Sequence, residues 1–107
     1  MSNLVFNNKG AFNAHATVTW EDDDVVQQSQ SSHTLSSGTN HTVTLPDNAR
    51  TVRLHVEHET GLIWAPRNTT GDIRWTDPAT EFKDGRATVE SFGTTLINYG
   101  LTWTDHP

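Results

Sequence analysis

The 107-residue chain contains no cysteine. Neither a disulfide framework nor a thiolate metal site is open to it, and either redox compartment suits it. No run of about 18 apolar residues occurs, so no helical membrane span is encoded. The start, Met1-Ser2-Asn3-Leu4-Val5-Phe6, lacks the basic flank and long apolar stretch of a secretory signal, so none is expected here. Basic residues are scarce and scattered singly: Lys and Arg total 7 against 13 Asp and Glu, for a net charge of -6. Phosphate backbones are held by clustered Lys and Arg, which argues against nucleic acid as a partner. Electrostatic capture by anionic lipid is disfavoured for the same reason. Apolar residues are sparse too, at 33%, and only a thin, shared core can be built from them.

What the chain has in quantity is Thr, Ser and Asn, set among short alternating runs. Phe12, Ala14, Ala16, Val18 and Trp20 alternate with Asn13, His15, Thr17 and Thr19. Period two over that length means a strand with one buried face and one wet face. Val52, Leu54 and Val56 repeat the pattern inward, with Thr51, Arg53, His55 and Glu57 outward. Shorter strands are predicted at Leu4–Phe6, His41–Leu45, Ile73–Trp75, Ala87–Phe92 and Leu101–Thr104. The polar stretch from Gln27 to Asn40 is too long for a pure loop, and a frayed edge strand is expected through His33-Thr34-Leu35. Asn68-Thr69-Thr70-Gly71 reads as loop, and Asp84-Gly85 is the strongest hairpin turn. About eight short strands, with turns at regular spacing and no helical period beyond one turn, predict an all-β fold. The expectation is an antiparallel β-sandwich forming a single domain over residues 1–107.

Catalytic patterns are absent. No Ser occupies a nucleophile elbow, and Asp72 and Asp77 occur in turn contexts where Asp is ordinary. The acidic run Glu21-Asp22-Asp23-Asp24 lacks the ligand spacing of an EF-hand. In His55-Val56-Glu57-His58-Glu59 the two imidazoles stand three apart on a strand and point to opposite faces, unlike the helical zinc pattern. No metal, cofactor or enzymatic activity is expected. The stretch Glu59-Thr60-Gly61-Leu62-Ile63-Trp64-Ala65-Pro66-Arg67 is more informative. Three large apolar residues bounded by a Gly and a Pro form either a buried corner or an exposed tip. Trp64 and Trp75 both flank polar loops, and an exposed Trp beside Arg, Thr and Asn makes an apolar plate with a hydrogen-bonding rim. Sugar rings fit such a plate.

Several segments resemble one family, and they do so in order along nearly the whole chain. Gly10-Ala11-Phe12-x-Ala14, Val18-Thr19-Trp20-Glu21 and Leu45-Pro46-Asp47-Asn48-Ala49-Arg50 are similar to the C-terminal domain of the cholesterol-dependent (thiol-activated) cytolysins. Thr60-Gly61-Leu62-Ile63-Trp64 resembles the family's undecapeptide, Glu-Cys-Thr-Gly-Leu-Ala-Trp-Glu-Trp-Trp-Arg. Gly93-Thr94-Thr95-Leu96 resembles the loop that carries its Thr-Leu cholesterol-recognition pair, which falls on Thr95 and Leu96. The resemblance implies a lone membrane-recognition β-sandwich without pore-forming domains, its undecapeptide and neighbouring loops forming one tip. Some family members also bind glycans through this domain.

The departures are physical. Glu59 stands at the family's Cys position, so thiol activation cannot apply. Ala65-Pro66-Arg67 replaces the paired Trp. Losing two indoles removes several hundred Å2 of apolar surface, which at roughly 25 cal/mol per Å2 forfeits several kcal/mol of insertion. A carboxylate in the tip adds a desolvation penalty. The first expectation is therefore a lectin-like module for cell-surface glycans, with Glu59, Thr60, Trp64, Arg67 and Thr94 at its site. Weak single sugar sites would then call for a homo-oligomer. The alternative is a sterol-dependent membrane binder, or the targeting part of a pore-forming toxin, using Gly61, Leu62, Trp64, Thr95 and Leu96. Either role places the protein outside cells.

Overall fold

Alternation along the second strand carries directly into burial: Ala14, Ala16 and Val18 lie in the core while His15 and Thr17 face outward. The computed structural model describes residues 2–23, 27–62, 66–96 and 98–105. Its strands are β1 (Ser2–Asn8), β2 (Ala14–Glu21), β3 (Gln27–Ser31), β4 (Asn40–Leu45), β5 (Arg50–Glu59), β6 (Arg67–Trp75), β7 (Arg86–Phe92) and β8 (Gly100–Trp103). A single helical turn, α1 (Pro78–Glu81), precedes β7 and is capped by Asp77, whose Oδ1 accepts from the Ala79 N–H at 3.1 Å. Two four-stranded sheets stack as a sandwich, ordered β4-β1-β7-β8 and β3-β2-β5-β6.

The three ladders of the second sheet and the two outer pairs of the first are antiparallel, but β1 runs parallel to β7. Alternation reports which face of a strand is buried and is blind to its neighbour's direction. A parallel pair needs a long crossover, and here the whole second sheet supplies it. Leu101 of β8 packs over Gly71 of β6, where a Cβ would lie 3.1 Å from Leu101 Cγ. That contact draws one lateral side of the sandwich together.

Three local expectations change. The polar edge strand lies at Gln27–Ser31, with every residue exposed, and Leu35 makes only an isolated bridge to Ala14. An edge strand with both faces wet has no alternation to reveal it. Asn68 to Gly71 is strand rather than loop, since the longer β5 gives those residues a partner across a bulge at Val56/Glu57. Trp75 is 2% exposed and meets Phe82 and Trp103 edge-to-face at 5.2 and 5.5 Å, so it is core and no ligand plate. The Asp84-Gly85 turn is as expected, with φ of 54° and 74° between bridged Lys83 and Arg86. Two positive φ values match the twist of the flanking strands.

Candidate functional site at the tip loops

Strand directions gather the described parts of four connections at one end of the sandwich: residues 9–13, 36–39, 60–62 with 66, and 93–96 with 98–99. Hydrogen bonds knit them. Ala11 N–H donates to Gly93 O at 2.8 Å, Gly38 N–H to Asn8 O at 2.7 Å, and Glu59 N–H to Asn13 O at 2.9 Å. Thr60 N–H reaches Pro66 O at 2.9 Å and closes the base of the loop between β5 and β6. Gly61 follows at φ 79°, a conformation that suits a residue without a Cβ.

Two buried polar side chains hold this end in place. Asn8 is fully buried, its Nδ2 donating to Phe12 O at 2.7 Å and Leu35 O at 2.9 Å. Its Oδ1 accepts from Ser91 Oγ at 2.8 Å and from Gly10 N–H at 3.2 Å. His58 is equally buried, between Phe12 at 4.6 Å and Tyr99 at 4.4 Å. Its Nε2 lies 2.7 Å from Thr95 O and its Nδ1 2.7 Å from Thr70 Oγ1. A carbonyl only accepts, so Nε2 carries a proton; in the neutral ring Nδ1 then accepts from the Thr70 hydroxyl. His58 thereby ties β5 directly to the loop bearing Thr95 and Leu96. The sequence reading set the imidazoles of His55 and His58 on opposite faces, and they are. It missed that His58 belongs to the tip, because its partners lie 12 and 37 residues away.

On the outer face, Glu59 accepts from Asn13 Nδ2 at 3.0 Å and meets His15 Nε2 at 3.4 Å. The bonds from Asn13 and His15 hold its carboxyl below the ordinary Glu value, with nearby Arg67 adding to the effect. Glu59 is thus a fixed negative charge at neutral pH. Arg67 lies across from it in the β5–β6 ladder, its Nη1 3.9 Å from Glu57 Oε2. Glu59, Gly61, Leu62, Pro66 and Arg67 line an open concavity of about 480 Å3. Thr60, expected at a ligand, is buried, and its Oγ1 accepts from Leu62 N–H at 3.1 Å, so its hydroxyl shapes the loop. Trp64 lies outside the described residues.

On the neighbouring loop Thr94 is exposed, Thr95 half-buried, and Leu96 51% exposed. Among the described residues, Leu96 and Phe92 (46%) are the large apolar side chains most open to solvent, and they flank the same loop. Gly93 fixes that loop's shape at φ 98°, with Asn98 O packed where a Cβ would stand. The tip therefore carries two adjoining surfaces: a charged concavity around Glu59 and Arg67, and an apolar prominence at Leu96. No group of three or more metal-ligating side chains forms among the described residues, and no helix there is long and apolar enough to cross a membrane.

Comparison with known proteins bears on the family and the fold. The model of the thiol-activated cytolysin β-sandwich domain matches residues 3–99. Listeriolysin O superposes on 99% of the chain with a TM-score of 0.71 and 18% identity. A disulfide-locked intermedilysin, solved with human CD59, covers 99% with a TM-score of 0.72 and 21% identity. Suilysin from Streptococcus suis covers 99% with a TM-score of 0.71 and 24% identity. The match takes in only 22%, 24% and 24% of those toxins, respectively. Curated protein sequences return no match.

Proposed function

Because the chain belongs to the thiol-activated cytolysin β-sandwich family, we propose that it is a membrane-recognition module. It meets a sterol-containing surface through Thr95, Leu96, Gly61 and Leu62. The observation that carries this reading is the exposed Leu96, held out on a loop that His58 and Gly93 fix from behind. A large aliphatic residue ordered in water gains most of its burial energy on contact with lipid or sterol, and little ordering entropy opposes it. Glu59, ionised beside Leu62, keeps the contact shallow, because a carboxylate resists transfer into hydrocarbon. The chain spans less than a quarter of each toxin it resembles. Within this reading the domain is the targeting part, and any lytic step would fall outside these 107 residues.

Flotation with phosphatidylcholine vesicles, with and without cholesterol, tests the reading. The domain is expected to float only with the sterol vesicles. Leu96→Asp should reduce binding at least tenfold, since burying one Leu is worth roughly 1.5–3 kcal/mol. Equal flotation with both vesicle types, or with neither, removes this function.

A second reading, glycan recognition, is favoured by the concavity itself. A fixed carboxylate at Glu59 and a guanidinium at Arg67 face each other across roughly one strand spacing. Such a pair suits vicinal hydroxyls, with Trp64 as the stacking plate and Thr94 on the adjoining loop. Trp64→Ala should abolish binding on a glycan array while the fold persists. A blank array for the intact wild type rules this reading out.

A further inference from the structure

A second concavity lies at the other end of the β2-β5-β6 face. It has a volume of about 290 Å3 and is lined by Thr19, Gln27, Thr51, Val52, Arg53 and Arg74. Arg53 stands six residues before Glu59 on the same outward face, roughly 20 Å away at strand rise. It is therefore separate from the tip.

Two local costs meet there, the second partly offset by the bond from Thr51 N–H to Thr76 O at 2.9 Å. Arg53 and Arg74 sit directly opposite each other in the β5–β6 ladder, and like charges so placed repel. Arg53 is partly neutralised, its Nε and Nη2 each 2.9 Å from Asp72 Oδ1. Arg74 ion-pairs with no carboxylate among the described residues. Thr51 adds the second cost: it is β-branched and holds φ at 53°, a region such side chains strongly disfavour. That conformation belongs to a register shift opposite Trp20, between the Thr19 and Glu21 pairs. Backbone strain of this kind collects where the surroundings impose a functional geometry.

We propose that this concavity binds an acidic sugar, its oxyanion taken by Arg74 with Arg53 beside it. Thr19, Thr51 and Gln27 hydrogen-bond the ring hydroxyls. A guanidinium offers paired donors that match a carboxylate or sulfate. The volume holds about one sugar ring with its substituent. Bound anion relieves the Arg–Arg repulsion, so a neutral sugar lacks the main source of affinity. The carboxylate of a uronic acid and the sulfate of a sulfated sugar share this chemistry.

Amide and arginine side-chain NMR titration of the 107-residue protein decides the matter, with glucuronate, glucose 6-sulfate, glucose and inorganic sulfate as probes. Glucuronate or glucose 6-sulfate should shift Thr51, Arg53 and Arg74 saturably in the millimolar range, and whichever binds more tightly identifies the oxyanion. Glucose should leave those signals in place. Arg74→Gln, an exposed change that spares the fold, should weaken binding at least tenfold. Leu96→Asp should not alter it, so the outcome stands apart from the tip's function. The proposal falls if neither acidic sugar saturates. It falls equally if glucose binds as well as they do, if Arg74→Gln binds like wild type, or if only bare sulfate binds.

Discussion

Asn8→Ala is expected to lower the stability of the domain by about 3–4 kcal/mol, the larger of the two greatest mutational effects anticipated here. The side chain is fully buried and makes four hydrogen bonds to three different segments. Truncation leaves Phe12 O, Leu35 O, Gly10 N–H and Ser91 Oγ without their Asn8 partner at a fully buried position. An orphaned buried polar group costs roughly 1–3 kcal/mol, and local relaxation recovers part of the sum. A domain of this size has about 5–15 kcal/mol in all, so the loss is a large fraction. Urea denaturation gives the number directly. Asn3→Ala is the control: Asn3 is exposed and its side-chain Oδ1 accepts from Thr44 Oγ1 at 3.0 Å, and the loss of that side chain should cost under about 0.5 kcal/mol. A drop below about 1 kcal/mol for Asn8→Ala would show that the four bonds do not anchor the tip end.

The second large effect falls on His58, where stability and recognition are expected to separate. His58→Ala removes a ring that stacks on Phe12 and tilts against Tyr99, together with two short hydrogen bonds. Cavity and unpaired groups together should cost about 3 kcal/mol. His58→Phe keeps the ring and most of the stacking but still strands Thr70 Oγ1 and Thr95 O, so it should recover part of that loss. Both variants release Thr95 from β5. Below their melting transitions, each should therefore show faster amide exchange along residues 94–96 and weaker flotation with cholesterol vesicles. A folded His58→Phe protein that floats like wild type would show that the bond to Thr95 has no part in recognition.

These two residues also mark what could be read in advance and what could not. Asn8 lies at the end of a short strand next to Lys9-Gly10, where Asn is ordinary turn chemistry. Nothing local says that its amide reaches Leu35, 27 positions on. His58 follows Val56 in phase, so alternation alone would place it inward. An imidazole on an apolar face, however, gives no hint of which loop it holds. The Leu96 loop was legible through its resemblance, and its exposure follows once Gly93 and the β7–β8 connection are in place. The concavity at Arg53 and Arg74 was not legible, since two scattered basic residues become neighbours only when β5 and β6 pair.

The sequence by itself determined the sandwich: period-two runs, Gly and Asp turn chemistry and a sparse apolar content permit little else. It also determined the character of the tip, because Glu59, Pro66 and Arg67 alter the chemistry of that loop wherever it is placed. Only the tertiary structure decided the parallel β1–β7 pairing, the burial of Trp75, and the joining of the Thr95 loop to β5 through His58. The reason is physical. Alternation is a local property that fixes which side of a strand is buried. Partner, direction and the bonds of buried polar groups are settled between segments far apart in sequence, by packing and hydrogen-bond satisfaction.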